Sequence, residues 1–358
     1  MTTGRDTASA QSFSSIPEVS LAELTADRQS NASRLTTICH EVGFFYLVDH
    51  GIEQEFFDYY FARMASFFAL PEEVKATIDK RRSPHFRGWE RVGAELTNNQ
   101  PDYREQLDVS TENPSYGLEA EPPYLRLDGP NQWLPDEILP GFHAIVNEFL
   151  ERLGGLANEL MAAMSLGLGL GERYLRDLFG ERPLSFAKLI NYPPTPAGQA
   201  GVNAHHDAGF LTLLVQHDVG GLQAQNPQGE WIDVTPRPGS LVVNLGEMLQ
   251  AITGNYFVAT THRVIAREAR LSSGYFHGPD LRTRLDHLPL DPSFAAAVAA
   301  SPRHASAGFM SKRNELLEGA VVTASTSAPV YGQQLWNYYM RSYPDNVRSH
   351  YPDLMGID

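Results

Sequence analysis

Asn203-Ala204-His205-His206-Asp207-Ala208-Gly209-Phe210-Leu211-Thr212-Leu213-Leu214 is the stretch on which the reading of this chain turns. Residues i and i+2 of an extended strand project to one side, so His205 and Asp207 can converge while His206 points away. A third group must then come from a strand distant in sequence but adjacent in the fold. His262 lies in Tyr256–Ile265, an aromatic and β-branched run that predicts a strand. Two imidazoles and one carboxylate can occupy one face of an octahedral metal and leave the opposite face open, which suits a non-haem Fe(II) centre. His217, His277 and His287 lie near enough in sequence to compete for the third position.

Farther on, Arg270-Leu271-Ser272 places a guanidinium and a hydroxyl two apart on another strand. An arginine facing the interior of a barrel needs an anion, and a ligand carboxylate matches its paired donors. Glu247 offers the alternative of an ordinary buried ion pair.

From Leu184 to Pro279 the chain reads as short strands: Phe186–Tyr192, Phe210–Gln216, Trp231–Val234, Ser240–Asn244, Tyr256–Ile265 and Arg270–Phe276. Turn signals at Asn226–Gly229 and Thr253–Asn255 separate several of them. Such a string suits a jelly roll. The first half is mostly helical by periodicity. Phe57, Phe61, Met64 and Phe68 share a face within Glu53–Leu70, and an apolar stripe from Phe142 to Met164 predicts one or two helices backing the sheet. Tyr331–Tyr343 reads as an aromatic C-terminal helix beside the barrel mouth, and 291–307 as a short helix and a surface loop.

The expected organisation is a flexible tail at 1–15, a mostly helical region at 16–180 packing on the barrel, a jelly-roll core at 181–285 and a C-terminal extension at 286–358, together one structural unit. A net charge of −15 leaves no surplus of lysine and arginine for a phosphate backbone, which argues against nucleic acid. A single cysteine, Cys39, forms no internal disulfide, and the N-terminus lacks a secretory pattern. With no long apolar stretch, the expectation is a soluble cytoplasmic protein without a membrane partner.

Beyond the opening stretch, Val219-Gly-Gly-Leu-Gln223, Gly229-Glu-Trp231, Pro238 to Gly246, Thr261-His262-Arg263-Val264 and Arg270-Leu271-Ser272 follow in order. Ile16-Pro17, Gly43 to Ile52, Phe67 to Pro71 and Asn191-Tyr192-Pro193-Pro194 precede that stretch. Together these landmarks resemble the isopenicillin N synthase-like group of 2-oxoglutarate/Fe(II)-dependent dioxygenases, from about residue 16 to Tyr343.

The resemblance implies a double-stranded β-helix core, mainly β with helical additions. It implies Fe(II) on His205, Asp207 and His262, and 2-oxoglutarate anchored by Arg270 with Ser272 and Tyr192. Dioxygen is then the oxidant of a small-molecule substrate, most simply by hydroxylation, and succinate is released. Arg87, Arg104 and Phe276 are the candidate substrate contacts, and the two arginines hint at an acidic group. An amino-acid-derived or natural-product metabolite is the expected substrate by analogy.

Departures from the group's pattern stand at Ile190, where asparagine is common, at His206, where a small residue is usual, and at Glu247, where aspartate is frequent. The interval from His262 to Arg270 is short, as a tight hairpin would require. Two other classes stay open: an isopenicillin N synthase-type oxidase without 2-oxoglutarate, and a non-catalytic binding protein on the same barrel. The sequence leaves the oligomeric state open.

Overall fold

In Leu241–Leu245 alternate side chains take opposite sides of a strand, yet neither side meets water. Leu241, Val243 and Leu245 join the larger apolar cluster, shared with the helices, while Val242 joins a second cluster between two sheets. A strand buried on both faces carries no apolar–polar alternation, so its period is hidden in the sequence.

The computed structural model describes residues 13–301, 304 and 329–355. In chain order the strands are β1 (Glu18–Ser20), β2 (Phe44–Val48), β3 (Gly88–Glu90), β4 (Leu96–Thr97), β5 (Gln100–Pro101), β6 (Glu105–Ser110) and β7 (Phe186–Tyr192). There follow β8 (Val202–His205), β9 (Leu211–Gln216), β10 (Leu222–Gln225), β11 (Trp231–Asp233), β12 (Leu241–Leu245), β13 (His262–Val264) and β14 (Arg270–His277). The major sheet has the order β1-β2-β12-β9-β14-β7-β6-β3 and the minor sheet β11-β10-β13-β8, with β4 and β5 as a separate hairpin. Apart from the parallel β1–β2 pair, the ladders are antiparallel. Ile190, Tyr192 and Val242 of the major sheet share a cluster with Val202, Leu222 and Val264 of the minor one. These two sheets, packed face to face over one interior, form the expected jelly roll.

The outer face of the major sheet is covered by helices. The apolar stripe forms one helix, Phe142–Gly167, burying Ile145, Phe149, Leu153 and Leu160 against β9, β14 and the helix Arg28–Glu41. Gly43, just after Arg28–Glu41, has φ +66°, and a Cβ there would meet the Val258 carbonyl oxygen at 1.9 Å. Only glycine fits that turn into β2.

Four expectations change. The N-terminal region does more than pack on the barrel, because β2 pairs with β12 and β6 with β7, which extends the major sheet at both ends. Only His262–Val264 of the run Tyr256–Ile265 is a strand. Val258 N donates to Cys39 O, Ala259 N to Gln250 Oε1 and Phe257 N to Thr253 Oγ1, so those backbone groups are satisfied outside any ladder. His262 and Arg270 are joined by a crossover between sheets, since β13 and β14 belong to different ones. The C-terminal helix, Tyr331–Ser342, is followed by a further helix, Pro344–His350.

Of the expected tail, residues 1–12 lie outside the described residues, whereas Phe13 is buried and its carbonyl accepts a bond from Asn226. The helix expected after 291 is Pro292–Ala300, and the loop expected beyond it lies almost wholly outside the described residues.

Phe149 is fully buried and stacks on Tyr60 with ring centroids 4.3 Å apart. Phe149→Ala leaves a cavity between helix and sheet and should destabilise the fold by about 3–5 kcal/mol, read by urea denaturation.

Candidate functional site

Strand β8 ends at His205, which pairs in register with His262 of β13. Asp207 lies two residues past that last pair, in a loop outside the strand where the i, i+2 argument placed it. The loop is fixed from outside: Glu247 N donates to Asp207 O at 2.8 Å, Met248 N to Gly209 O at 3.1 Å and Gly246 N to Phe210 O at 2.9 Å. A Cβ on Gly246 would stand 2.2 Å from Gly209 O, so the close approach requires glycine there.

Three atoms then face one another. Asp207 Oδ1 is 3.5 Å from His205 Nε2 and 3.6 Å from His262 Nε2. Among the described residues, this trio is the group whose ligand atoms gather within 4.8 Å in the manner of a metal site. Of the rival histidines, His217 is exposed and paired with Asp218, His287 is exposed, and His277 lies elsewhere on the cavity wall.

Each ligand is oriented by a second contact. His205 Nδ1 lies 2.8 Å from Asn203 O and His262 Nδ1 3.0 Å from Thr260 O. A carbonyl only accepts, so each Nδ1 carries the proton and each Nε2 presents a lone pair to the centre. Thr212 Oγ1 and Asn244 Nδ2 donate to Asp207 Oδ2 at 2.5 and 2.7 Å, which turns Oδ1 toward the imidazoles. Phe44 meets His262 edge to face at 5.8 Å.

Burial would raise the Asp207 carboxyl, but His262 and His205 outweigh it and hold the group far below the ordinary carboxylate range. Burial lowers His205 and Asp207 reverses that, leaving it raised, whereas burial and the neighbouring His205 bring His262 down to about 4. Converging lone pairs around an anion call for a cation between them, and two imidazoles with one carboxylate fit a divalent first-row metal with an open face.

Arg270 projects from β14 opposite Tyr192, a member of the cluster between the two sheets, and is 2% exposed. Its Nη1 donates to Ser272 Oγ and its Nη2 to Gln216 Oε1, both at 2.9 Å, and its guanidinium carbon lies 4.9 Å from the ring centre of Tyr192, the cross-strand neighbour. Glu247, the possible protein partner, stands instead 3.4 Å from His206 Nδ1. Among the described residues no carboxylate reaches Arg270, its Nε has no partner, and burial lowers its pKa. A buried cation without a counter-charge is costly, so the interior is built for an added anion.

A cavity of about 490 Å³ opens beside the trio, reached by His205, Asp207 and Phe276 and walled by Leu335 and Tyr338 of the C-terminal helix. Phe276 stacks on Phe186 at 4.6 Å in that wall. Arg104 also lines the cavity, but its Nη2 is held by Glu95 at 2.6 Å and Asp102 at 3.2 Å, which removes the hint of an acidic substrate group. Arg87 does not reach it: Nε donates to Ser110, Nη1 to His85 O and Nη2 to Leu127 O, a buried structural role. Thr212 and Asn244 position Asp207, and Gln216 positions Arg270, three roles that the motifs do not assign. Their signal was available, since Asn244 is a lone polar residue inside Leu-Val-Val-Asn-Leu.

The family model described as the 2OG-Fe(II) oxygenase superfamily matches residues 184–279, and that described as the non-haem dioxygenase in morphine synthesis N-terminal matches residues 16–136. A 2-oxoglutarate-dependent dioxygenase of Dothideomycetidae sp. is 33% identical over 298 residues, spanning 80% of each chain. A homoarginine-6-hydroxylase of Glycine max is 31% identical over 79% of this chain and 90% of its own. The crystal structure of full-length Neurospora crassa T7H in complex with alpha-KG is similar with a TM-score of 0.66 at 27% identity, covering 76% of this chain and 88% of that one.

Replacing Thr212 by Val together with Asn244 by Leu frees Asp207 Oδ2. Metal affinity should fall about 10- to 100-fold, measured by calorimetric titration of Fe(II) or Mn(II) under anaerobic conditions, with the folded far-UV spectrum retained.

Proposed function

Because the chain belongs to the 2-oxoglutarate- and Fe(II)-dependent dioxygenases, we propose that His205, Asp207 and His262 hold its iron and that Arg270, with Ser272 and Tyr192, holds its 2-oxoglutarate. The protein is an oxidoreductase that uses Fe(II), 2-oxoglutarate and O2, and its substrate is a small molecule. Bound iron and 2-oxoglutarate supply dioxygen activation, with decarboxylation to succinate coupled to oxidation of the substrate, most simply its hydroxylation.

The observation that carries the site assignment is the pairing of two unmet needs inside one barrel. The trio converges two imidazole nitrogens and a carboxylate oxygen on one point, and Arg270 is a buried guanidinium whose Nε meets no partner among the described residues. An anionic metal chelator answers both. Ser272 keeps the guanidinium of Arg270 in place by accepting from Nη1, and the Tyr192 ring shields its face from water. Thr212 and Asn244 hold Asp207 so that one oxygen only is offered. An isopenicillin N synthase-type oxidase would keep the same Arg-x-Ser pair for its substrate, and it is the likeness to 2-oxoglutarate-dependent relatives that favours the keto acid here.

Among the described residues no helix is long and apolar enough to cross a membrane. The net charge of −15 supports a reading without nucleic acid, and the single, buried Cys39 is compatible with the reducing cytoplasm we assign.

Anaerobically reconstituted protein exposed to O2 should convert 2-oxoglutarate to succinate in the presence of Fe(II), followed by chromatography of both acids. Arg270→Ala should raise the KM for 2-oxoglutarate about 30-fold, equivalent to about 2 kcal/mol, while leaving Fe(II) affinity unchanged. Equal loss of both would refute the division of labour between the trio and Arg270.

A further inference from the structure

His277 is a buried polar group that the iron and keto-acid sites leave unused. It lines the cavity and is 5% exposed, stacks on Phe179 at 4.4 Å, and its Nε2 has no hydrogen-bond partner. A buried ring nitrogen without a partner is a standing cost that a ligand can remove.

The contacts on the other side of the ring fix the direction of that missing bond. Gly278 N donates to Ser185 Oγ at 3.3 Å, and His277 Nδ1 lies 3.1 Å from Tyr275 OH and 3.5 Å from Ser185 Oγ. Both neighbours of Nδ1 are hydroxyls, each with a proton to give. A proton on Nδ1 would leave these hydroxyl protons without an acceptor among the described residues. Nδ1 therefore accepts, and the ring proton sits on Nε2 as an unused donor.

The surroundings decide the charge of what it binds. Burial lowers the His277 pKa to about 3, so the ring is neutral, and the neighbouring wall is formed by Phe210, Phe276 and Tyr331. The cations near the cavity are already matched. Lys188 meets Glu95 and Asp108, Lys80 meets Glu90 and Asp108, and Arg104 meets Glu95 and Asp102. Four carboxylates face three cations there, which leaves no positive charge for a substrate anion. Glu95 in turn accepts from Tyr338, Tyr343, Lys188 and Arg104, so it has little capacity for a substrate cation. Another orphan on this wall, Arg104 Nε, belongs to a guanidinium that Glu95 and Asp102 already hold.

We propose that His277 is a specificity determinant, its Nε2–H donating to a neutral carbonyl or hydroxyl oxygen at the deep end of a substrate whose apolar body lies along Phe276. The inference rests on the oxygenase reading only in taking this cavity as the substrate site.

The test is equilibrium dialysis of three probes sharing one ring, acetophenone, toluene and benzoate, against anaerobic protein loaded with Fe(II) and 2-oxoglutarate. Acetophenone should bind about fivefold more tightly than toluene, the worth of one hydrogen bond, and more tightly than benzoate. His277→Phe should abolish the advantage over toluene, and His277→Gln, which keeps an N–H donor, should retain part of it. Both variants should bind Fe(II) as the wild-type protein does, which verifies that they fold. Tightest binding of benzoate, an undiminished acetophenone preference in His277→Phe, or no preference in the wild-type protein would each overturn the proposal. Succinate formation by the wild-type protein, assayed separately, reports on the oxygenase reading, so either can fail without the other.

Discussion

Two hydrogen bonds to a single oxygen organise this molecule. By occupying Asp207 Oδ2, Thr212 and Asn244 leave Oδ1 as the atom that faces His205 and His262. The two donors come from adjacent strands of the major sheet, at the cross-strand pair Thr212–Asn244, while both histidines come from the minor sheet. The centre therefore exists only where the two sheets face each other. Correct register in both ladders is a condition for it, because a slip of one residue would turn Asn244 or His262 to the opposite side.

A second constraint is charge inside a dry interior. The barrel buries Arg270 with neutral partners only, and buries Lys80, Lys188 and Arg104 with a surplus of carboxylates. Burial pushes the Glu95 carboxyl upward, but Lys188, Arg104 and Lys80 together outweigh it and keep the group well below the ordinary carboxylate range. One cluster is thus complete in itself and the other is not. That contrast separates wall from binding site more sharply than exposure does, since all these groups are buried.

The jelly roll is legible in the sequence as a string of short strands with turn signals between them, and His205, Asp207 and His262 come together although Asp207 lies outside the strand that its spacing predicts. What surrounded them was less legible. The strand β6, carrying Asp108, and the strand β2, carrying Phe44, lie in the half that periodicity marks as helical, because both of their faces are covered and no alternation shows. Arg87 and Arg104 read as candidate substrate contacts in the sequence, yet both are consumed by internal partners. His206 and Glu247 were separate oddities along the chain. In space they are one contact, His206 Nδ1 standing 3.4 Å from Glu247 Oε1, with Thr261 on the other ring nitrogen at 2.8 Å. Departures of this kind are hard to weigh singly, because each makes sense only beside the other.

Tyr338 and Tyr343 reach Glu95 from the far end of the chain, and Tyr343 also meets Lys188. The last described helices thereby close a wall whose other members precede them in the chain. During synthesis, the major sheet that carries Thr212 and Asn244 is continuous only once β14 has emerged at His277, whereas the enclosure must wait for Tyr343. A nascent chain would pass through a stage in which its reactive centre is formed but still open to bulk water, and the timing of that final docking sets how long the stage lasts.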